Sequence, residues 1–256
     1  IIKEAIKIKE GQYVDKERFF IIEGIHLLEM ALESESEIIK VFFTEEFKKR
    51  IDGQRLLRRL TKRTSNLIEI LEQISNKLSD TESPQGILAI VSLKRYRLED
   101  IQFKNKPFIV VCDGIQDPGN LGTIIRASDA AGVDAVIILP NTCDVLNNKT
   151  VRATAGSIFN IPILELDIES LTGYFRSKDI KLYSTDIRAR MSLYESDFKK
   201  PIAIAFGNEA RGVSEALLKV SKDLIRIPII GKAESLNVAM AASICLYEVV
   251  RQRFTE

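Results

Sequence analysis

Residues 201–238 read PIAIAFGNEARGVSEALLKVSKDLIRIPIIGKAESLNV. The apolar run 202–206 stops at Gly207-Asn208-Glu209, and Arg211-Gly212 follows. A second apolar run, 224–230, stops at Gly231, and Ser235-Leu236-Asn237 then opens an apolar helix. Continuous apolar runs of this length suit strands buried on both faces. Two strands thus end in small polar loops, each leading into a helix. Such loops, with helix N-termini nearby, are where an α/β protein holds a ligand.

The same unit recurs upstream. Runs at 108–112, 135–139, 161–166 and 180–184 are strand-like, and 121–131, 147–158 and 168–176 are helical in pattern. Pro107 opens the first run, and Gly132 and Pro140 stand where a helix and a strand should stop. This alternation predicts an α/β fold, a mostly parallel sheet with helices on both faces. Nearer the N-terminus, 1–10 suits an amphipathic helix, 25–32 and 74–78 further helices, and 19–22, 38–43, 67–70 and 87–93 strands. Residues 94–106 are charged and weakly periodic, as a linker is. The expected organisation is a small α/β domain at 1–94, a linker at 95–106 and a larger α/β domain at 107–256.

Bulk composition narrows the function classes. The 256 residues carry 37 Lys and Arg against 36 Asp and Glu, a net charge of +1. No global basic field announces nucleic acid, so such a partner must meet a local patch. Cys112, Cys143 and Cys245 have no paired spacing, which argues against a disulfide framework or zinc site and for a reducing compartment. No apolar run approaches transmembrane length and no signal peptide is visible. The chain starts at Ile1 without Met, so a few leading residues are expected to precede it. His26 is the only histidine and lies in an apolar helix pattern, so it reads as structural.

Three loops carry the chemistry. The first, Asp113-Gly114-Ile115-Gln116-Asp117-Pro118-Gly119-Asn120, leads into a helix with Gly122 and Arg126 on one face; Asn120 stands at the expected helix start, where Asn caps well. It lacks the order of a dinucleotide fingerprint, which disfavours a nucleotide-dependent oxidoreductase. The second is Gly207-Asn208-Glu209-Ala210-Arg211-Gly212, whose first glycine lets a ligand approach the backbone. The third runs from Ile227-Pro228-Ile229 to Ser235-Leu236-Asn237, with Ser235 a candidate helix cap.

In order and spacing these loops resemble the three motifs of the SpoU/TrmH family of RNA ribose 2′-O-methyltransferases, within the SPOUT superfamily. Asn120, Gly122 and Arg126 match the first motif, Gly207-Asn208-Glu209 and Gly212 the second, Ile227-Pro228 and Ser235-Leu236-Asn237 the third. The likeness spans 107–254, including Val151-Arg152-Ala153-Thr154-Ala155-Gly156-Ser157. Residues 13–93 resemble that family's N-terminal substrate-binding domain through Phe19-Phe20-Ile21-Ile22-Glu23-Gly24 and Ser83-Pro84-Gln85-Gly86.

The resemblance implies a C-terminal trefoil knot, an S-adenosylmethionine cofactor bound within it, and a homodimer. It implies cofactor contacts at Thr185, Gly207, Asn208, Ile227, Ile229 and Leu236, and catalytic work by Arg126, Asn120, Glu209, Ser235 and Asn237. In the family Arg126 would be the base. Guanidinium groups keep their protons, so we assign it instead to positioning the nucleotide and stabilising oxyanion charge. The implied substrate is 23S-type ribosomal RNA and the implied location the cytoplasm, with transfer RNA the alternative substrate and a non-catalytic RNA-binding protein of the same fold the rival from another class. No metal or membrane partner is implied. For RNA contact the candidates are Lys149 and Arg152, and Arg58 and Arg59 within the basic run 47–63, which also suits a merely solvated helix face.

Overall fold

The structure, a computed structural model, describes residues 2–12, 19–103 and 105–254. Residue 1 of the expected first helix, residues 13–18 of the family-like N-terminal stretch and Lys104 of the linker lie outside them. The chain divides into two compact units, Ile1–Lys94 with Leu146–Asn160, and Arg95–Val145 with Ile161–Glu256.

The first unit holds α1 (Ile2–Lys9), β1 (Phe19–Glu23), α2 (Ile25–Glu33), β2 (Glu37–Thr44), α3 (Glu45–Lys49), α4 (Ile51–Leu60), β3 (Leu67–Ile70), α5 (Glu72–Leu78) and β4 (Ile87–Ser92). Its sheet runs β1-β4-β2-β3, antiparallel except for the β2–β3 pair. Ala5 and Ile8 of α1 and Leu78 of α5 bury against Ile21, Phe42, Leu88 and Ile90 on one sheet face. Thr44 starts α3, its hydroxyl accepting from the Phe47 amide at 3.2 Å.

The second unit holds β5 (Phe108–Asp113), α6 (Pro118–Ala130) and β6 (Ala135–Ile138). The chain then leaves it through α7 (Asn148–Ala153) and returns as β7 (Ile163–Glu165), α8 (Ile168–Ser177), β8 (Lys181–Thr185), β9 (Met191–Ser192), β10 (Ile202–Gly207), α9 (Glu215–Val220), β11 (Asp223–Arg226) and α10 (Val238–Phe254). Its seven strands are ordered β7-β6-β5-β10-β8-β11-β9, with every pairing parallel. The central strands β5 and β10 are buried throughout, as helix-covered parallel strands require. Ala203 and Ala205 pack with Ile109 and Val111 under Leu171 and Phe175 of α8 and Leu217 of α9. Helix α10 packs against α6 and β10. From β5 the chain steps outward through β6 to β7, then reappears beyond β10 as β8. The order therefore reverses beside β10, and ligands sit outside strand C-termini at such a switch.

Several elements differ from the sequence reading. Helix α7 stops at Ala153, because Ala155 (φ 49) and Gly156 (φ 98) turn left-handed before a 3-10 turn at Ser157–Phe159. Residues 146–160, read as part of the larger domain, pack with residues 1–94. The linker is not bare: Ile101 is buried with Ala135 and Leu164, and Tyr96, Leu98 and Phe103 pack around them. Strand β11 ends at Arg226 rather than at 230, since Pro228 has no amide to donate to a ladder. The short strand β9 has no apolar run to announce it.

Candidate active site

The ends of β5, β8, β10 and β11 all open on the same edge of the second unit's sheet. There, a cavity of about 700 Å³ is lined by Thr185, Gly207, Asn208, Glu209, Ile227, Ile229, Ser235, Leu236 and Asn237, among others. Every residue expected to contact a cofactor is in that lining, with three of the five expected in catalysis. Asn120 and Arg126 are not, although α6 carries both.

Asn120 is instead tied to the cavity wall. Its Nδ2 donates to Glu209 Oε1 at 2.9 Å, and its Oδ1 accepts from Asn237 Nδ2 at 2.9 Å. The Oδ1 of Asn237 accepts from the amides of Ala239 (2.9 Å) and Met240 (3.3 Å), so Asn237 caps α10. Ser235, the expected cap, is exposed and makes no side-chain hydrogen bond among the described residues. Nor does Asn120 cap α6: Asp117 does, accepting from the Asn120 amide at 2.9 Å, with Pro118 behind it. The helix thus starts three residues early, which frees the Asn120 side chain to bridge the second and third loops.

Glu209 is the hub. Besides Asn120, it accepts from the amides of Gln116 (3.0 Å) and Asp117 (3.1 Å). Partial burial works against its charge, but the Asn120 amide and these backbone donors outweigh it and hold the carboxyl below the usual value of 4.5. A depressed folded pKa contributes stability above the unfolded value, lost as pH falls through the folded one. Glu209→Gln should therefore lower the urea midpoint at pH 7, and this deficit should shrink below about pH 4. An equal deficit at both pH values would remove the ionised carboxylate from the account.

The neighbouring loop folds on itself. Asn208 and Gly212 exchange backbone hydrogen bonds of 3.0 and 2.8 Å. Asn208 Oδ1 accepts from Ala210 and Arg211, and its Nδ2 donates to Gly114 O at 2.9 Å. Packing also demands glycine at 207: a Cβ there would lie 2.0 Å from Val213 N. Across the cavity, residues 229–236 make no backbone–backbone hydrogen bond among those described, and Ile230 to Asn237 are exposed. Their amides and carbonyls are free to meet a ligand edge.

Arg211 of the second loop also lines the cavity, as do Asp186, Arg188, Arg226 and Glu234, which were not candidates from the sequence. Asp186 follows Thr185 directly at the end of β8, so the strand-end rule alone would have found it. The Arg188 guanidinium beside Asp186 holds that carboxyl below its ordinary range. Arg126 sits on the exposed face of α6 and makes no side-chain hydrogen bond or ion pair among the described residues. In the first unit, Arg152 pairs with Asp80 at 3.5 Å, and Lys149 lies in the first turn of α7 behind its cap Asn147. Arg59 pairs with Glu29 (3.2 Å) and Glu33 (3.3 Å), while Arg58 is exposed. His26 is exposed, its Nε2 3.0 Å from the Ala155 carbonyl. Among the described residues no group of acidic, His and Cys side chains is arranged to hold a metal, and no helix is long and apolar enough to cross a membrane.

An all-parallel α/β sheet, with a cavity at its strand ends lined by apolar, charged and small residues beside free backbone, is the arrangement in which α/β proteins hold a small organic ligand. The chain belongs to the SpoU rRNA methylase family, whose model matches residues 107–247, and an MRM3-like substrate binding domain matches residues 1–89. The chain is 32% identical to the 23S rRNA (guanosine(2553)-2'-O)-methyltransferase RlmP of Bacillus subtilis, over 97% of this chain and 95% of that protein. It is 32% identical to the 23S rRNA (guanosine-2'-O-)-methyltransferase RlmB of Salmonella typhimurium, over 91% and 98%. The structure of an AdoMet-bound rRNA methyltransferase from Sinorhizobium meliloti is similar at a TM-score of 0.88 and 30% identity, covering 98% of this chain and 94% of that one.

Proposed function

We propose that this protein transfers a methyl group from S-adenosylmethionine to a ribose 2′-hydroxyl of 23S-type ribosomal RNA in the cytoplasm, as a homodimer. The carrying observation is the cavity at the ends of β8, β10 and β11, which is bounded by Thr185, Gly207, Ile227, Ile229 and Leu236. Its volume suits a cofactor of that size. Its free backbone groups at 229–236 suit the hydrogen-bonding edge of an adenine, and Ile227, Ile229 and Leu236 suit the apolar faces of the same ring.

S-adenosylmethionine supplies an electrophilic methyl group when bound. The protein must hold the ribose hydroxyl in line with that methyl group and exclude water. Asn120, Glu209 and Asn237 are positioning residues in this reading, since their side-chain bonds link the three loops to one another. Ser235, whose hydroxyl is unspent, is the free polar group on the cavity lining nearest Asn237 in sequence. Arg126 serves the RNA side, where its cation steadies a phosphate and the negative charge developing on the 2′-oxygen. Lys149 and Arg152 remain candidate RNA contacts.

For the homodimer the support is a line of exposed side chains along α10. Met240, Tyr247 and Phe254 are 64%, 54% and 85% exposed and spaced by sevens, hence on one side of the helix. Met240→Asp with Tyr247→Asp should convert the dimer to a monomer by sedimentation equilibrium; a wild-type monomer removes the proposal. For the knot, the support is the unpaired passage from Arg226 to Val238, after which α10 packs back on α6.

The test is methyl transfer from labelled S-adenosylmethionine to 23S ribosomal RNA and to transfer RNA, with the product mapped for ribose methylation. Label at a ribose of 23S RNA is expected. Label confined to transfer RNA moves the substrate. Calorimetry that shows no cofactor binding leaves the non-catalytic RNA-binding reading.

A further inference from the structure

The basic run that drew attention in the sequence is largely neutralised in the fold. Lys48 pairs with Glu69, Lys49 with Glu45, and Arg50 with Asp52. Arg59 pairs with Glu29 and Glu33. Arg63 donates to the carbonyls of Leu32, Ser34 and Ser36. Arg55, Arg58 and Lys62 are left, all exposed and without a side-chain partner among the described residues.

These three form a stripe rather than a scatter. Arg55 and Arg58 stand three residues apart on α4. Lys62 follows four residues later, in the turn that prolongs the helix, where the Thr61 amide donates to Leu57 O and the Lys62 amide to Arg59 O. At about 1.5 Å rise and 100° per residue, the three lie within roughly a 60° arc and about 10 Å along the axis. Ile51, 89% exposed, continues the line one turn earlier. Gly53, Leu56 and Leu60 are buried on the other side of the helix. Asp52, the carboxylate nearest the stripe on α4, is already held by Arg50.

We propose that Arg55, Arg58 and Lys62 form a phosphate track for RNA on α4, with Ile51 as an apolar contact at its upstream end. Three cations along about 10 Å of helix match consecutive phosphates of one strand, and no side chain among the described residues holds them. The chain is nearly neutral as a whole, so binding here is local. Arg59 is a structural residue that anchors α4 to α2. The assignment rests on the protein acting on RNA and narrows where RNA is gripped.

The experiment uses the full-length protein and transcribed 23S ribosomal RNA. Arg55→Gln, Arg58→Gln and Lys62→Gln together should weaken binding about tenfold and flatten the log Kd against log salt slope by about 2, at roughly 0.7 per single-strand phosphate contact. The melting temperature should hold, because none of the three has a partner to lose. Arg59→Gln is the contrasting control: it should lower the melting temperature and leave the salt slope near wild type. Wild-type binding and methyl transfer with an unchanged affinity and slope in the triple variant overturns the track and leaves the proposed function standing. A wild-type protein that neither binds nor methylates the RNA overturns both.

Discussion

Arg126→Ala is expected to lower methyl transfer about 10²–10³-fold, the usual effect of removing one donor to a developing oxyanion, while S-adenosylmethionine affinity stays near wild type. The fold has no stake in this side chain. Arg126 is on the exposed face of α6, has no partner among the described residues, and lies outside the cavity lining. Alanine is the best helix former, so α6 should persist. That separation makes the experiment decisive, since a loss of turnover cannot be ascribed to a broken pocket. Arg126→Lys should recover only part of the activity, because an ammonium offers a point charge without the planar fork that grips phosphate oxygens. Unchanged turnover in Arg126→Ala would move the role to another cation, with Arg211 and Arg226 on the cavity lining the next to test.

The central strands were legible because burial on both faces writes itself as an uninterrupted apolar run. Residues 108–112 and 202–206 show this, and they became β5 and β10, neighbours at the sheet centre. The helix starts were legible in principle and misread in detail. Asp117-Pro118 is a cap followed by a first-turn proline, a local signal that outweighs Asn120 as the start of α6. Asn237 likewise stands directly before α10, two residues closer than Ser235. Other features depend on partners distant in the chain. Glu209 takes its donors from residues about ninety positions away, and no local pattern announces that. Within the basic run 47–63, the pairings of Lys49 with Glu45 and Arg50 with Asp52 are local, but the carboxylates that hold Lys48 and Arg59 come from β3 and α2, and no pattern within the run announces them. Sequence shows how many charges a segment has, and packing decides which of them stay available to a partner.

Gly207→Ala should be the most damaging single substitution at the strand-end cavity. A methyl group at this position would stand 2.0 Å from Val213 N, 2.1 Å from Gly212 C and 2.4 Å from Gly212 O. All three are backbone atoms, so no flexible side chain can swing away. Relief requires the 208–212 loop to lift off the end of β10, which breaks the paired Asn208–Gly212 backbone bonds. Overpacking a buried site costs about 1–3 kcal/mol, and contacts this short with backbone belong at the upper end. The consequences reach further than stability. Asn208 would lose its register with Gly114, and Glu209 its hold on Gln116, Asp117 and Asn120. Cofactor affinity should therefore fall together with the melting temperature, in contrast to Arg126→Ala, where affinity holds. Calorimetry with S-adenosylmethionine on both variants, beside their melting curves, separates a residue that shapes the cavity from one that serves the RNA. If Gly207→Ala kept wild-type affinity, the loop would have to be reshaped without consequence for the cavity wall, and the second loop would lose its place in the proposed cofactor site.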